Sequence, residues 1–213
     1  MSALRKALHD AFGSDSEEEI ENTTSAECHA VVPGLSVVRG FLSPSAQSAL
    51  LQAIRASKWL SCREDVELAA PTQAHRFGDF PPWLAALAHA ALSVSYGRGL
   101  LPSPELFDQA IVNEYRPGQG LTPHVDLAAF ADGICGVSLG HEAIMRFSDG
   151  RSQPHDVLLR PGDLVCMQSD ARYRWTHELL PSTGTTAGWW RLSVTLRRMQ
   201  NVPHTLNHAA DDA

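Results

Sequence analysis

The residues of this chain best suited to chemistry form two small groups. In "LTPHVD" (Leu121–Asp126), His124 and Asp126 stand one residue apart directly after a Gly/Pro turn. Alternate residues of an extended chain point to one face, so both side chains can converge on one ion. A second histidine, His177, closes "DARYRWTH" (Asp170–His177) near the end of another strand-like run. Two imidazoles and one carboxylate on one side of a metal leave open positions opposite, as in non-haem iron(II) oxygenases. Zinc accepts the same three groups. An HxD tripeptide also arises by chance, with the histidine ending a strand and the aspartate facing water, so its company decides. The second group lies in "RLSVTLR" (Arg191–Arg197), where an even separation puts two arginines on one strand face. The inner face of a sandwich strand rarely carries two charges. A dianionic ligand would explain them, each guanidinium–carboxylate contact being worth about 4 kcal/mol before desolvation at an effective dielectric near 20. Two outward-facing arginines are the ordinary alternative.

Short β-like runs after residue 108 must position these groups: Gln109–Tyr115, Pro123–Leu127, Ile134–Leu139, Ala143–Phe147, Asp156–Leu159, Asp163–Met167, Arg172–His177 and Trp190–Met199. Pro117-Gly118, Asp132-Gly133, Asp149-Gly150, Pro161-Gly162 and Thr183-Gly184 separate them as turn signals, with Asp149-Gly150 a hairpin candidate. Upstream, "LSVVRGF" (Leu35–Phe41) reads as a strand. Ser43 then caps a helix with Pro44 in its first turn and a buried side of Ala46, Leu50, Ile54 and Trp59. A second helix spans Pro82 to Tyr96, ends at Gly97, and carries Trp83, Leu87, Ala91 and Val94 as its apolar stripe. Between the helices, Ser61–Pro82 has no clear period and reads as a long loop of the kind that covers a site. Helices followed by many short strands imply an α+β fold, mainly β, with a sandwich or jelly roll braced by N-terminal helices.

A length of 213 residues favours one domain, and 44% hydrophobic with 19% charged residues is a globular balance. No apolar run approaches the roughly 18–20 residues of a membrane span. Cys28, Cys62, Cys135 and Cys166 form no CxxC pair, which opposes a zinc ribbon or disulfide framework and suits a reducing compartment. The net charge of -7 sits in the ends. Residues 1–30 form an acidic tail with the composition of disorder, open to a protein partner. Leu4, Leu8 and Phe12 align as a short amphipathic helix at its start, and Asp10 opposes a mitochondrial presequence. Residues 201–213 read as a flexible acidic tail, and residues 31–200 form an electrically neutral domain whose bases are all arginine except Lys58. An intracellular protein, cytoplasmic or nuclear, is the expectation.

The stretches "NEYRPGQGLTPHVD", "SLGHEAIMRF", "RPGDLVCMQSDARYRWTH" and "RLSVTLR" together resemble the AlkB-type iron(II)/2-oxoglutarate dioxygenases, from about Val32 to Met199. The resemblance implies a double-stranded β-helix, with Fe(II), 2-oxoglutarate and O2 as cofactor and cosubstrates. It implies His124, Asp126 and His177 as iron ligands, and Asn113 and Tyr115 as hydrogen-bonding partners of 2-oxoglutarate. Arg191 matches the arginine that grips the distal carboxylate and Arg197 the one near the carboxylate next to the keto group. Ser193 stands where the family often has asparagine. The chemistry implied is decarboxylation of 2-oxoglutarate to succinate, coupled to hydroxylation of a substrate C–H bond. An N-methyl group treated so is lost as formaldehyde; a carbon-linked group is left as an alcohol.

The same resemblance implies a substrate lid over residues 61–82, where Arg76, Phe77 and Phe80 would meet a base and a phosphate, and Arg172 and Trp175 lining the site. Ala128 stands where the founding repair enzymes carry a second acid that reads the methylated base. The neutral body also lacks the broad positive charge of a duplex binder. The resemblance is strongest to branches that include hydroxylases of wobble uridine in tRNA, whose multidomain members carry RNA-binding and methyltransferase domains for which 213 residues leave no room. The expected function is therefore oxidation of modified or methylated bases in RNA, tRNA or single-stranded DNA. The alternatives are an oxygenase acting on a protein side chain such as methylated lysine, and a non-catalytic module that binds metal or 2-oxoglutarate.

Overall fold

A computed structural model describes residues 25–57, 72–182 and 188–200. The amphipathic start, most of the acidic tail, Trp59, Cys62, the first part of the aperiodic segment, the Thr183-Gly184 turn and the C-terminal tail lie outside the described residues.

Among the described residues, two long helices, one large sheet and one small sheet are stacked in layers. The helix α1 (Pro44–Ala56) begins as its sequence dictates, with Ser43 Oγ accepting from the Ala46 amide at 3.3 Å. The helix α2 (Pro82–Gly97) buries Trp83, Leu84, Leu87 and Ala91. It runs through Gly97, and the left-handed residue that ends it is Gly99, whose amide bonds Tyr96 O.

The seven-stranded sheet has the order β1 (Ala26–Cys28), β2 (Leu35–Val38), β9 (Leu164–Met167), β6 (Ile134–Gly140), β11 (Arg191–Arg197), β4 (Gln109–Tyr115), β3 (Thr72–Phe77). The four-stranded sheet has the order β5 (Leu121–His124), β10 (Thr176–Leu179), β7 (Ala143–Ser148), β8 (His155–Leu159). All the pairings within both sheets are antiparallel. This is the expected jelly roll braced by N-terminal helices.

The large sheet is covered on both faces. Ala110, Val112, Val137, Leu192, Val194 and Leu196 pack with the helices, while Leu35, Val37, Ile134, Val165 and Met167 pack with Phe147, Val157 and Leu159 of the small sheet. In β11 the alternation therefore runs opposite to that of a half-solvated strand. Its apolar residues face the helices, and Arg191, Ser193, Thr195 and Arg197 share the face turned to the small sheet. Gly140 (φ +86) closes β6 where a Cβ would meet the Trp190 ring at 2.8 Å, which lets β11 enter in register.

Four sequence expectations are corrected. First, β1 precedes the boundary set at Val31 and pairs with β2. Second, Thr72–Phe77, assigned to an aperiodic loop, is strand β3 on β4. "TQAHRF" hides this because it pairs along one side among the described residues and stays largely exposed, so apolar alternation is absent. Third, the expected strand Arg172–His177 divides into a short helix, α3 (Ser169–Tyr173), and β10. The Asp132 carboxylate accepts the Ser169 amide at 2.9 Å and Pro33 O the Ala171 amide at 2.9 Å, holding the first turn. Fourth, the expected strand Pro123–Leu127 ends at His124.

Cys135 and Cys166, distant in sequence, are register partners with free thiols 3.7 Å apart. No described helix is long and apolar enough to cross a membrane.

Candidate active site

β5 and β10 are neighbours in the small sheet, and His124 and His177 are direct register partners. Their ring centroids lie 4.3 Å apart. Asp126 reaches them from beyond the end of β5, and its Oδ2 is 3.5 Å from His177 Nε2. One ligand atom from each of the three residues lies within 4.8 Å of the others. The expected convergence is present, but its cause differs. Asp126 is delivered by a turn rather than by pleat alternation, since the carbonyls of Asp126, Leu127 and Phe130 bond the Arg172 guanidinium instead of a strand ladder.

The protonation of the group suits a cation. His124 Nδ1 is 2.8 Å from Thr122 O, which can only accept, so Nδ1 donates there and Nε2 is the nitrogen left to face a metal. His177 is 6% exposed. Burial lowers its pKa to about 4 against the upward pull of Asp126, so the imidazole is neutral at neutral pH, the form a metal requires. Asp126 Oδ1 pairs with Arg197 Nη2 at 2.6 Å, which leaves Oδ2 toward the imidazoles. Buried Gln109 accepts from Arg197 Nη1 at 3.3 Å, and the Phe130 ring lies 4.8 Å from the guanidinium carbon.

A cavity between the sheets is bordered by this triad and by β4, β6 and β11. Register explains which residues face it: Arg191 pairs with Tyr115, and Ser193 pairs with Asn113 on one side and Ser138 on the other. Arg191 is 3% exposed, and among the described residues no carboxylate pairs with it. Its Nη2 donates to Ser138 Oγ at 3.0 Å, its carbon lies 5.3 Å from the Tyr115 ring centroid, and its Nε has no partner. Burial depresses the guanidinium pKa, and Tyr115 opposes that shift. Asn113 Oδ1 is also buried without a partner. An unpaired buried cation is costly in an empty protein and suits an anionic ligand, so these residues fit a dicarboxylate beside a metal.

All eight expected metal and cosubstrate positions border one cavity. Sequence reasoning missed Ser138 and Gln109. Ser138 lies within the quoted "SLGHEAIMRF", yet its role depends on the β6–β11 register, for which the sequence carries no local signal.

The five expected substrate contacts separate. Arg172, expected to line the site, is buried, and its guanidinium bonds the backbone carbonyls of Asp126, Leu127 and Phe130. Trp175 is packed in the inter-sheet core, and Phe80 rests on the helix-side core. Phe77 is 60% exposed, and its pairing with Gln109 puts it on the cavity face of β3. Arg76, one residue earlier, belongs to the opposite face.

Residues 55–197 match the 2OG-Fe(II) oxygenase superfamily. The tRNA (carboxymethyluridine(34)-5-O)-methyltransferase alkbh8 of Xenopus tropicalis is 32% identical over 164 residues, covering 70% of this chain and 25% of its own. The chain thus spans about a quarter of that relative's length. Uncharacterized protein L905 of Acanthamoeba polyphaga mimivirus is 30% identical over 157 residues, covering 70% of this chain and 73% of its own. Among solved structures, OsALKBH1 has the same fold, with a TM-score of 0.63 at 16% identity over 82% of this chain and all of that one.

Proposed function

The chain belongs to the 2OG-Fe(II) oxygenase superfamily on its AlkB-type side, and from that premise we propose that it oxidises a modified base in nucleic acid, tRNA above all. The family uses Fe(II), 2-oxoglutarate and O2. When bound, they supply the oxidant for a substrate C–H bond and leave succinate and carbon dioxide.

This chain's residues bind and orient. His124 and His177 offer Nε2 to the metal, and Asp126 offers Oδ2. Arg197 holds the other carboxylate oxygen, which leaves Oδ2 as the atom Asp126 would offer a metal. Arg191, braced by Ser138, receives the distal carboxylate of 2-oxoglutarate, with Asn113, Tyr115 and Ser193 beside it. Met145, Leu159, Val165 and Met167 wall the cavity with apolar atoms and limit water. The single observation that carries this reading is Arg191: a buried arginine with no acidic partner among the described residues, facing the same cavity as a His–Asp–His group.

Two features support the substrate class. The Xenopus relative is named for its action on tRNA. Phe77, exposed on the cavity face of β3, offers a ring on which an unstacked base can lie. Ala128, in place of an acid, speaks against a methylated repair substrate.

The test is incubation of the iron-loaded protein with 2-oxoglutarate and, separately, bulk tRNA, methylated single-stranded DNA and methylated peptides, read by succinate, formaldehyde and mass spectrometry. Succinate coupled to a hydroxylated or demethylated nucleoside supports the proposal. Turnover of peptides alone would make the substrate a protein. Binding of metal and 2-oxoglutarate without turnover of any substrate would make the chain a binding module.

A further inference from the structure

We propose that Arg172 is a positioning residue that ties the turn carrying Asp126 to the segment carrying His177, so that the metal site is assembled before metal arrives. The inference rests on the metal-site reading above.

Arg172 sits on α3, directly ahead of β10, and is 2% exposed. Its Nη1 donates to Asp126 O at 3.0 Å, and its Nη2 donates to Leu127 O at 2.7 Å and Phe130 O at 2.9 Å. Tyr173 stacks against the guanidinium at 4.7 Å. Arg174, the residue that follows α3, is a contrast: exposed, and paired with Asp170 of that helix at 3.4 Å.

The turn needs such a tether. β5 ends at His124, so no ladder bonds hold Asp126. The far end of the turn is fixed to the strand-exit segment by Ala131 N to Arg198 O, Gln200 N to Ala129 O, and the Phe130–Met199 bridge. At the near end, Leu127 O accepts the Phe130 amide at 3.0 Å within the turn itself, and the bonds that reach another element are those to Arg172. Phe130, whose carbonyl Arg172 also binds, presents its ring to Arg197, and Arg197 in turn holds Asp126 Oδ1. One side chain thus sets the backbone of one ligand, the start of the strand of a second, and the support of the carboxylate's partner. A planar fork can bond three carbonyls at once, whereas a lysine ammonium on a flexible stem cannot match that geometry. An apolar side chain would leave the Asp126 and Phe130 carbonyls without their donor, while Leu127 O would keep the Phe130 amide.

The test uses the full chain, its Arg172→Met and Arg172→Lys variants, and Asp126→Ala, titrated with Co(II) and followed by ligand-field absorption, alongside melting of the metal-free forms. Loss of an outer-sphere support weakens metal binding by about 10- to 100-fold. We expect that loss in Arg172→Met with a changed Co(II) spectrum, and little rescue by Arg172→Lys. Lower melting temperature with unchanged Co(II) affinity and spectrum would reduce Arg172 to a packing residue and overturn the proposal. Should the variants not fold, amide exchange of the unmodified protein decides. Equal protection of Phe130 and Ala131 with and without Co(II) supports a preassembled turn; free exchange without metal overturns it. Failure of the unmodified protein to bind Co(II), or undiminished binding by Asp126→Ala, would instead remove the metal site itself and the proposal with it.

Discussion

Replacing Arg191 by methionine should act in opposite directions on ligand binding and on stability. The guanidinium is buried, its Nη2 donates to Ser138 Oγ, the Tyr115 side chain lies beside it, and among the described residues no carboxylate neutralises it. In the ligand-free protein the lost Ser138 bond costs about 1 kcal/mol. Removing an uncompensated buried cation offsets at least that much. The metal-free, ligand-free variant should therefore melt at or above the wild-type temperature. For 2-oxoglutarate the sign reverses: truncating one partner of a buried charge pair costs about 2–5 kcal/mol, an affinity loss of about 30-fold to several thousand-fold. The assay is thermal melting with Mn(II) in place of iron, without and with 2-oxoglutarate. At 100 times the wild-type Kd, the ligand stabilises wild type by about 2.7 kcal/mol, and a variant bound 100-fold more weakly by about 0.4 kcal/mol. A ligand-induced shift equal to wild type would refute the role of Arg191. So would a ligand-free protein destabilised by about 3–5 kcal/mol, the signature of a broken structural ion pair.

Other perturbations separate the remaining parts of the site. His177 ordinarily titrates near 6.5 and in the folded protein at about 4, so the unfolded chain takes up the proton first. Its contribution is complete above about pH 6.5 and is lost as pH falls toward 4, by about 3 kcal/mol in all. Denaturant melts of metal-free His177→Gln should show a shallower slope between about pH 6.5 and 4, what remains coming from His29 and, toward pH 4, the depressed carboxylates of Glu27, Asp149 and Asp156; an unchanged slope would count against a neutral buried His177. Ser138→Ala removes one acceptor from Arg191 and should weaken 2-oxoglutarate by about 5- to 10-fold, near 1 kcal/mol, by calorimetry; no change would leave Ser138 a bystander. Phe77→Ala should lower kcat/KM for nucleic acid by about 5- to 150-fold, from about 1–3 kcal/mol of lost stacking, with 2-oxoglutarate affinity intact. Equal loss with all substrates, or none, would deny it that contact.

Much of this architecture was legible in the sequence because its signals are local. Ser43 and Pro44 start α1 where a capping hydroxyl and a fixed φ predict, and the apolar alternation of β11 leaves Arg191 and Arg197 on one face. What was hidden depends on partners distant in the chain. "TQAHRF" forms β3 because β4 offers an edge, not because its residues favour a strand. Asp126 reaches the histidines through a turn clamped from 46 residues away by Arg172, which the sequence alone assigned to substrate. Ser138 faces the cavity through a register set by two neighbouring strands. Phe77 and Phe80, three residues apart and grouped together by composition, face the cavity side and the helix core, respectively.

The most direct measurement is a crystal structure of the full chain grown anaerobically with Mn(II) and 2-oxoglutarate, with data collected at the manganese edge. One anomalous peak among His124, Asp126 and His177, with the dicarboxylate reaching from that ion to Arg191, is the result this account predicts. A metal bound elsewhere, or a diacid seated away from Arg191, would contradict it.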